Sequence, residues 1–146
     1  MQMRSDIVRY NDKHGAVKLC LVDYLQQMHS GTGHRDRREE VSFISRALKD
    51  ISMEFGMAIV AASAMNREFE RRQTKDKRPE LADLNESGQI ESDASVVLFP
   101  HRPSTTATAN GPVPDDELVL RKNRHGPTGI VPVKFMGPYY RFENLN

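Results

Sequence analysis

The run Val17-Lys18-Leu19-Cys20-Leu21-Val22-Asp23-Tyr24 constrains this chain more than any other stretch. Nearly all of its side chains are apolar, without the polar alternation of a half-solvated strand. Such a run predicts a strand buried on both faces, as in the centre of a parallel α/β sheet. It stops on a carboxylate, Asp23. Open α/β sheets bind their ligands beyond the carboxyl ends of the strands, so Asp23 stands where a ligand is expected. An apolar strand closed by Asp is also the Walker B pattern, whose acid helps hold the Mg²⁺ of a bound nucleotide. A strand-end turn or cap accounts for the same residue without a ligand.

The 146 residues suffice for one domain with a core. A net charge of +1 means that any nucleic-acid surface must be local. The single cysteine, Cys20, reads as a small core side chain inside the strand. One cysteine permits no internal disulfide, which fits a reducing cytoplasm. There is no signal-peptide pattern and no apolar stretch of membrane-spanning length, so no membrane partner is expected.

Residues 1 to 14 read as a polar helix with Ile7, Val8 and Tyr10 as a narrow apolar stripe, stopped at His14-Gly15. After the strand of residues 17 to 23 comes a glycine-bearing loop, 26 to 34. Its place at the strand's carboxyl end makes it a candidate functional loop. His29 and His34 lack a further ligand nearby and read as solvated rather than metal-binding. Asp36 and Glu39 have capping-box spacing. Val41, Ile44, Leu48, Ile51 and Phe55 then mark one face of an amphipathic helix ending at Gly56. Residues 57 to 63 read as a second fully apolar strand, which makes strand, helix and strand a right-handed βαβ unit.

From Arg67 to Arg78 the chain carries Arg67, Arg71, Arg72, Lys75, Lys77 and Arg78 among three acids. This is either a solvated charged loop or a basic loop against a phosphate backbone. Residues 81 to 94 should form short helical pieces broken at Gly88, and 96 to 99 a third strand. Residues 103 to 116, rich in Pro, Thr, Ala and Gly, predict a mobile surface loop. Strands are expected at 117 to 120, 129 to 135 and 139 to 142, with basic groups of 121 to 125 at a hairpin tip. That tip is either an exposed turn or a cationic finger reaching a phosphate of another molecule.

Seven stretches recur together in one known family. They are Val22-Asp23-Tyr24-Leu25-Gln26, Ile44-Ser45-Arg46-Ala47-Leu48-Lys49, Ser63-Ala64-Met65-Asn66-Arg67, Arg78-Pro79, Asp83-Leu84-Asn85-Glu86-Ser87-Gly88 with Ile90-Glu91-Ser92-Asp93-Ala94, Val96-Val97-Leu98-Phe99, and Lys122-Asn123-Arg124-His125-Gly126-Pro127-Thr128-Gly129. In this order, over nearly the whole chain, they resemble the C-terminal RecA-like motor domain of the DnaB-type replicative DNA helicases. The resemblance implies a partial RecA-like P-loop NTPase core: an α/β fold with a central, mostly parallel sheet, flanking helices and a C-terminal β-hairpin. It implies ATP and Mg²⁺ as cofactors, single-stranded DNA as a partner, and other helicase subunits in a homohexameric ring in the cytoplasm. Primase and a loader would be reached through regions outside these residues.

By the same resemblance Asp23 is the Walker B acid and metal ligand, and Ser63 lies beside the nucleotide. Arg124 is the arginine finger, with Lys122 beside it, acting on the γ-phosphate held by the adjacent subunit. Asn85, Glu86 and Gly88 fall in the loop that contacts the DNA backbone, and Arg67, Arg71 and Arg72 are placed near DNA. Two positions depart from the family: Ala64 stands where a γ-phosphate-sensing Gln is usual, and Asn85 where Arg is usual. Ser95 replaces a common Asp. No G-x-x-x-x-G-K-[ST] occurs in the 146 residues. The chain is therefore expected to be the back half of a motor domain, from the Walker B strand onward. It would be part of a helicase that couples ATP hydrolysis to translocation and unwinding, and inactive as an ATPase by itself. The alternative is a non-catalytic or regulatory remnant that associates with a complete ring.

Overall fold

A computed structural model of the chain describes residues 2–66, 69, 78–84, 88–103 and 116–145. They group into two compact units, one made of Met1–Asn66 with Leu84–Ala94, the other of Arg67–Asp83 with Ser95–Asn146.

The first unit begins with helix α1, Gln2–His14, which ends where Gly15 takes φ 85°. Its inward stripe is Met3 and Ile7 rather than the predicted Ile7, Val8 and Tyr10. Val8 and Tyr10 are exposed, because the helix lays only one narrow face on the core. Strand β1, Leu19–Val22, pairs in parallel with β2, Ala58–Ala61. The connection is helix α2, Arg37–Phe55, so the predicted βαβ order is present. Asp36 Oδ1 accepts the Glu39 N–H and caps α2. Glu39 reaches back to the N–H of Arg35 rather than to that of the cap residue, so the box is offset by one. Gly56, at φ 58°, closes the helix in the left-handed region.

Val41, Ile44, Leu48 and Ile51 of α2 are buried in the spacing read from the sequence. Val41, Ile44 and Leu48 pack with Leu25 and with Ile90 of the short helix α3, Gly88–Asp93. Ile51 packs with Ile7 and Met57, and Phe55 and Cys20 are partly buried against that cluster. Gly88 is the first described residue of α3. Ser45 Oγ, on the packed side of α2, donates to Asp93 Oδ2 at 2.8 Å and ties the two helices by a polar contact.

The expected burial of β1 on both faces is not met. Cys20, Val22 and Ile59 are partly covered, while Leu19, Leu21 and Val60 are exposed, Leu21 at 70%. Alternate residues of a strand point to opposite faces, and the described residues supply one covering layer, α1 and α2, on one face. Cys20 is accordingly half-buried rather than a core residue.

The second unit is an antiparallel sheet in the order β3-β4-β5-β6, with β3 Val96–His101, β4 Asp116–Asn123, β5 Gly129–Met136 and β6 Arg141–Asn144. The predicted hairpin is there as part of this larger meander. Parallel pairing is confined to β1 and β2, so among the described strands the expected mostly parallel sheet gives way to antiparallel ladders. Val97, Phe99, Val119 and Val133 are its buried apolar residues. Val97 and Phe99 alternate with exposed Val96 and Leu98, the period of two expected of a strand with one covered face. Residues 104–115, most of the predicted surface loop, lie outside the described residues. At its two ends Arg102 grips Asp116 through Nε at 2.6 Å and Nη2 at 3.2 Å. Asp116 Oδ2 also accepts the Phe135 N–H. The Arg102 guanidinium holds the Asp116 carboxyl below the usual range.

Candidate functional site

Because β1 and β2 are parallel, both release the chain at the same rim. Asp23 follows β1 directly and is exposed there, and Ser63 follows β2. The ladder continues past the strands: the Ala62 N–H donates to Val22 O and the Leu25 N–H to Ala62 O, both at 2.9 Å. The two predicted nucleotide-side residues of this unit, Asp23 and Ser63, thus stand on neighbouring strand ends.

A residue without an assigned role in the sequence reading joins those ends. Gln26 Nε2 donates to Ser63 Oγ at 3.0 Å, and Gln26 Oε1 accepts the Ala64 N–H at 3.0 Å. One carboxamide therefore saturates a side chain and a backbone group of the neighbouring strand's exit. Its backbone is held in turn, since Arg37 Nη2 donates to the carbonyls of Gln26 and Met28. Arg37 also pairs with Glu40 one helical turn along. Glu40 accepts the Ser30 N–H at 2.9 Å. That bond, with Arg37 and His29, holds the Glu40 carboxyl at about 2 against the opposing effect of desolvation. The loop after Asp23 is thereby fastened to the first turn of α2 by a charge network. Nothing in the spacing of Gln26, Arg37 and Glu40 marks it, because it depends on the three-dimensional return of α2 to the rim.

The loop histidines belong to the same region. His29 Nδ1 lies 3.6 Å from Glu40, and its side chain is mostly exposed. His34 Nε2 is 2.9 Å from Thr32 Oγ1, and its ring meets Phe43. No group of three His, Cys, Asp or Glu side chains able to hold a metal occurs among the described residues. Among the described residues the rim offers a hard cation the exposed carboxylate of Asp23. That fits Mg²⁺ arriving with phosphate and water oxygens, not a metal caged by protein.

In the second unit β4 and β5 meet in a turn over Arg124 to Gly126, and Arg124 is exposed in it. The Arg124 N–H donates to Ser95 O at 2.9 Å, so the ladder with β3 runs one residue beyond the strand. Between the pairs Val97↔Lys122 and Leu98↔Leu120, β4 carries one extra residue, Arg121. An extra residue of this kind bends the strand locally, just before Lys122. Arg121 is not part of the cationic tip: its Nε donates to Pro79 O at 2.7 Å. Arg78 is likewise withdrawn from the basic loop, gripping Glu117 of β4 through Nε at 2.7 Å and Nη2 at 2.8 Å. A bidentate partner in the sheet competes better for a guanidinium than solvent does.

Of the predicted DNA contacts, Gly88 is the exposed first residue of α3. Arg67, Arg71, Arg72, Asn85 and Glu86 lie outside the described residues. Asp83, at the start of that loop, is buried and accepts the Glu80 N–H at 2.7 Å, so it shapes the chain locally. No described helix is long and apolar enough to cross a membrane.

The family model of the DnaB-like helicase C terminal domain matches residues 1–144. The replicative DNA helicase DnaB of Leifsonia xyli is 41% identical over 145 residues, 99% of this chain and 31% of that protein. The same-named protein of Haemophilus influenzae is 38% identical over 143 residues, 98% of this chain and 30% of its own length. The chain thus spans about 30% of the length of most of the curated relatives it matches. Among solved structures, an ATPase domain superposes with a TM-score of 0.86 at 34% identity, over 99% of this chain and 50% of that one. A DnaB-like replicative helicase studied for its interactions with primase gives 0.85 at 34% identity, over 99% and 34%.

Proposed function

The chain belongs to the DnaB-like helicase C-terminal domain family, with the RecA-like fold of its structural neighbours, and from that premise we propose that it is the Walker B-to-finger part of a replicative helicase motor. The whole motor would couple ATP hydrolysis to movement along single-stranded DNA and to duplex unwinding, in the cytoplasm, as a homohexameric ring. The observation that carries this reading is the shared rim of two parallel strands, with Asp23 on one exit, Ser63 on the other and Gln26 bridging them.

In this reading Mg²⁺ and ATP, when bound, supply the phosphoryl group and the charge that holds it. Asp23 would help hold the Mg²⁺ of the bound nucleotide. Ser63 offers a hydroxyl at the neighbouring exit. Arg124, with Lys122 beside it, serves the pocket of the adjacent subunit, where a guanidinium fork stabilises charge spread over phosphoryl oxygens and contributes about 10³–10⁵ in rate. Gly88, with Asn85 and Glu86 and the arginines 67, 71 and 72, tracks a DNA backbone without reading sequence. Primase and a loader would act on regions of a longer protein.

The finger assignment can be tested in trans. The chain is titrated into an intact DnaB-type helicase whose own finger arginine is replaced by alanine, and ATP turnover is measured. Recovery by the wild-type chain and none by Arg124→Ala supports the reading. No recovery by either removes it. By itself the chain should show no turnover, since no phosphate-binding loop is encoded in its residues. Turnover abolished by Asp23→Ala would overturn that expectation. The second reading, a regulatory partner of a complete ring, is favoured by Ala64, which cannot hydrogen-bond a phosphate through its side chain. It predicts altered turnover that does not depend on Arg124.

A further inference from the structure

We propose that Asn123 is the positioning residue of the finger, shaping the β4–β5 turn so that Arg124 is presented in one conformation. The proposal rests on the finger reading of Arg124 and adds the residue through which the finger is aimed.

The turn is held from two sides. On the β3 side the Arg124 N–H is fixed to Ser95 O. On the inner side two bonds converge on the Asn123 carboxamide. Its Oδ1 accepts the His125 N–H at 3.2 Å, and its Nδ2 donates to Pro127 O at 3.3 Å. The β4–β5 pairing ends at Leu120↔Gly129, and beyond it the half-buried side chain of Asn123 bridges the two arms of the turn. An Asn side chain bonding the backbone two residues on is a local turn former. Here it also reaches the far side of the turn.

Gly126 is the complement of this arrangement. A Cβ built on it would lie 2.8 Å from Asn123 Nδ2 and 3.6 Å from Asn123 Cγ. The amide nitrogen stands where a Cβ would go, so a side chain at 126 requires the Asn123 carboxamide to shift from its place in the turn. Two different substitutions thus break the same contact: Asn123→Ala by removing the amide, Gly126→Ala by displacing it. Arg124, between them in the chain, keeps its guanidinium in both.

A finger acts through placement, and misplacement by about 1 Å can cost on the order of 100-fold. Both variants are compared with wild type in the trans assay described above. The readouts are kcat, the KM for ATP and the concentration of chain giving half-maximal recovery. Protection of the His125 amide against hydrogen exchange is measured on the chain itself. The expected result is a kcat lowered by about tenfold or more in both variants, with KM and half-maximal concentration within about twofold of wild type. His125 protection is lost in both. Asn123→Asp, which keeps the acceptor for the His125 N–H and lacks the donor to Pro127 O, should fall between.

Undiminished kcat in Asn123→Ala with a stimulating wild type overturns the proposal alone. A loss that appears as a rise in half-maximal concentration at unchanged kcat also overturns it, because the residue would then serve subunit contact. A wild-type chain that stimulates nothing overturns the finger reading and this proposal together. Should Asn123→Ala unfold, Gly126→Ala and Asn123→Asp carry the same comparison.

Discussion

Replacing Gln26 by leucine removes the carboxamide at nearly constant volume and deletes two hydrogen bonds, one to Ser63 Oγ and one from the Ala64 N–H. Each is a neutral bond of 3.0 Å in a half-buried setting, so each contributes about 1 kcal/mol net. The expected loss for Gln26→Leu is therefore about 2 kcal/mol. Ser63→Ala removes one of the two and should cost about 1 kcal/mol. The informative quantity is the double variant. Because Gln26→Leu already deletes the bond that Ser63→Ala deletes, the pair should cost about 2 kcal/mol rather than the sum of about 3, a coupling of about 1 kcal/mol.

Urea unfolding followed by far-ultraviolet circular dichroism gives the four stabilities. Hydrogen exchange at the Ala64 amide gives the local effect, which should be a loss of protection in Gln26→Leu and little change in Ser63→Ala. Strict additivity of the two substitutions, or a Gln26→Leu chain as stable as wild type with Ala64 still protected, would refute the claim that one carboxamide holds the two strand exits together. It would also remove the reason for treating the rim as a preorganised site.

Other expectations follow from the same contacts. Ile44→Ala, at a position with no exposed surface, should destabilise the first unit by about 3–4 kcal/mol in the same urea assay. Glu40, with its pKa held near 2 in the folded chain against an ordinary value of 4.5, contributes stability that is fully present above the ordinary value. That stability is lost as pH falls from there through about 2; an acid titration should show it, and Glu40→Gln should flatten the titration over that window. Arg78→Met leaves the mostly covered Glu117 carboxylate without its bidentate partner and should cost about 1–2 kcal/mol by urea unfolding, discounted for the exposure of the arginine.

The legible part of the fold was the part encoded by spacing. The face of α2 from Val41 to Ile51, its Asp36 cap and its Gly56 stop are local, and they stand where periodicity and capping chemistry put them. Asp23 at a strand's carboxyl end, and Arg124 at a hairpin tip, were legible for the same reason. The contacts that give those positions a shape were not. Gln26 reaches 37 residues along the chain to Ser63, Arg78 reaches 39 to Glu117 and Arg121 reaches 42 to Pro79. A charge count in sequence assigns Arg78 and Arg121 to a cationic surface; the fold turns both onto internal acceptors. Asn123 is an intermediate case, since an Asn-bearing turn is a local signal, but its fit against Gly126 depends on the turn's closure.

The misjudged burial of β1 has a different origin. Apolar content reports how much surface a residue type is suited to bury, not whether a given set of residues buries it. Leu19, Leu21 and Val60 carry the composition of a strand covered twice, yet the described residues cover one face. Alternation fails as a guide because both sets of side chains are apolar, and only a count of covering layers separates the cases. The neighbouring ATPase domain of which this chain spans half superposes closely over nearly all of the chain. Within the described residues β1 and β2 pair in register from Leu19↔Ala58 to Val22↔Ala61. What holds this pairing is the packed side, where Ile44 and Val41 are fully buried, together with the stapled exits at Ser63 and Ala64. On this view the rim's geometry is set by α2 and by Gln26.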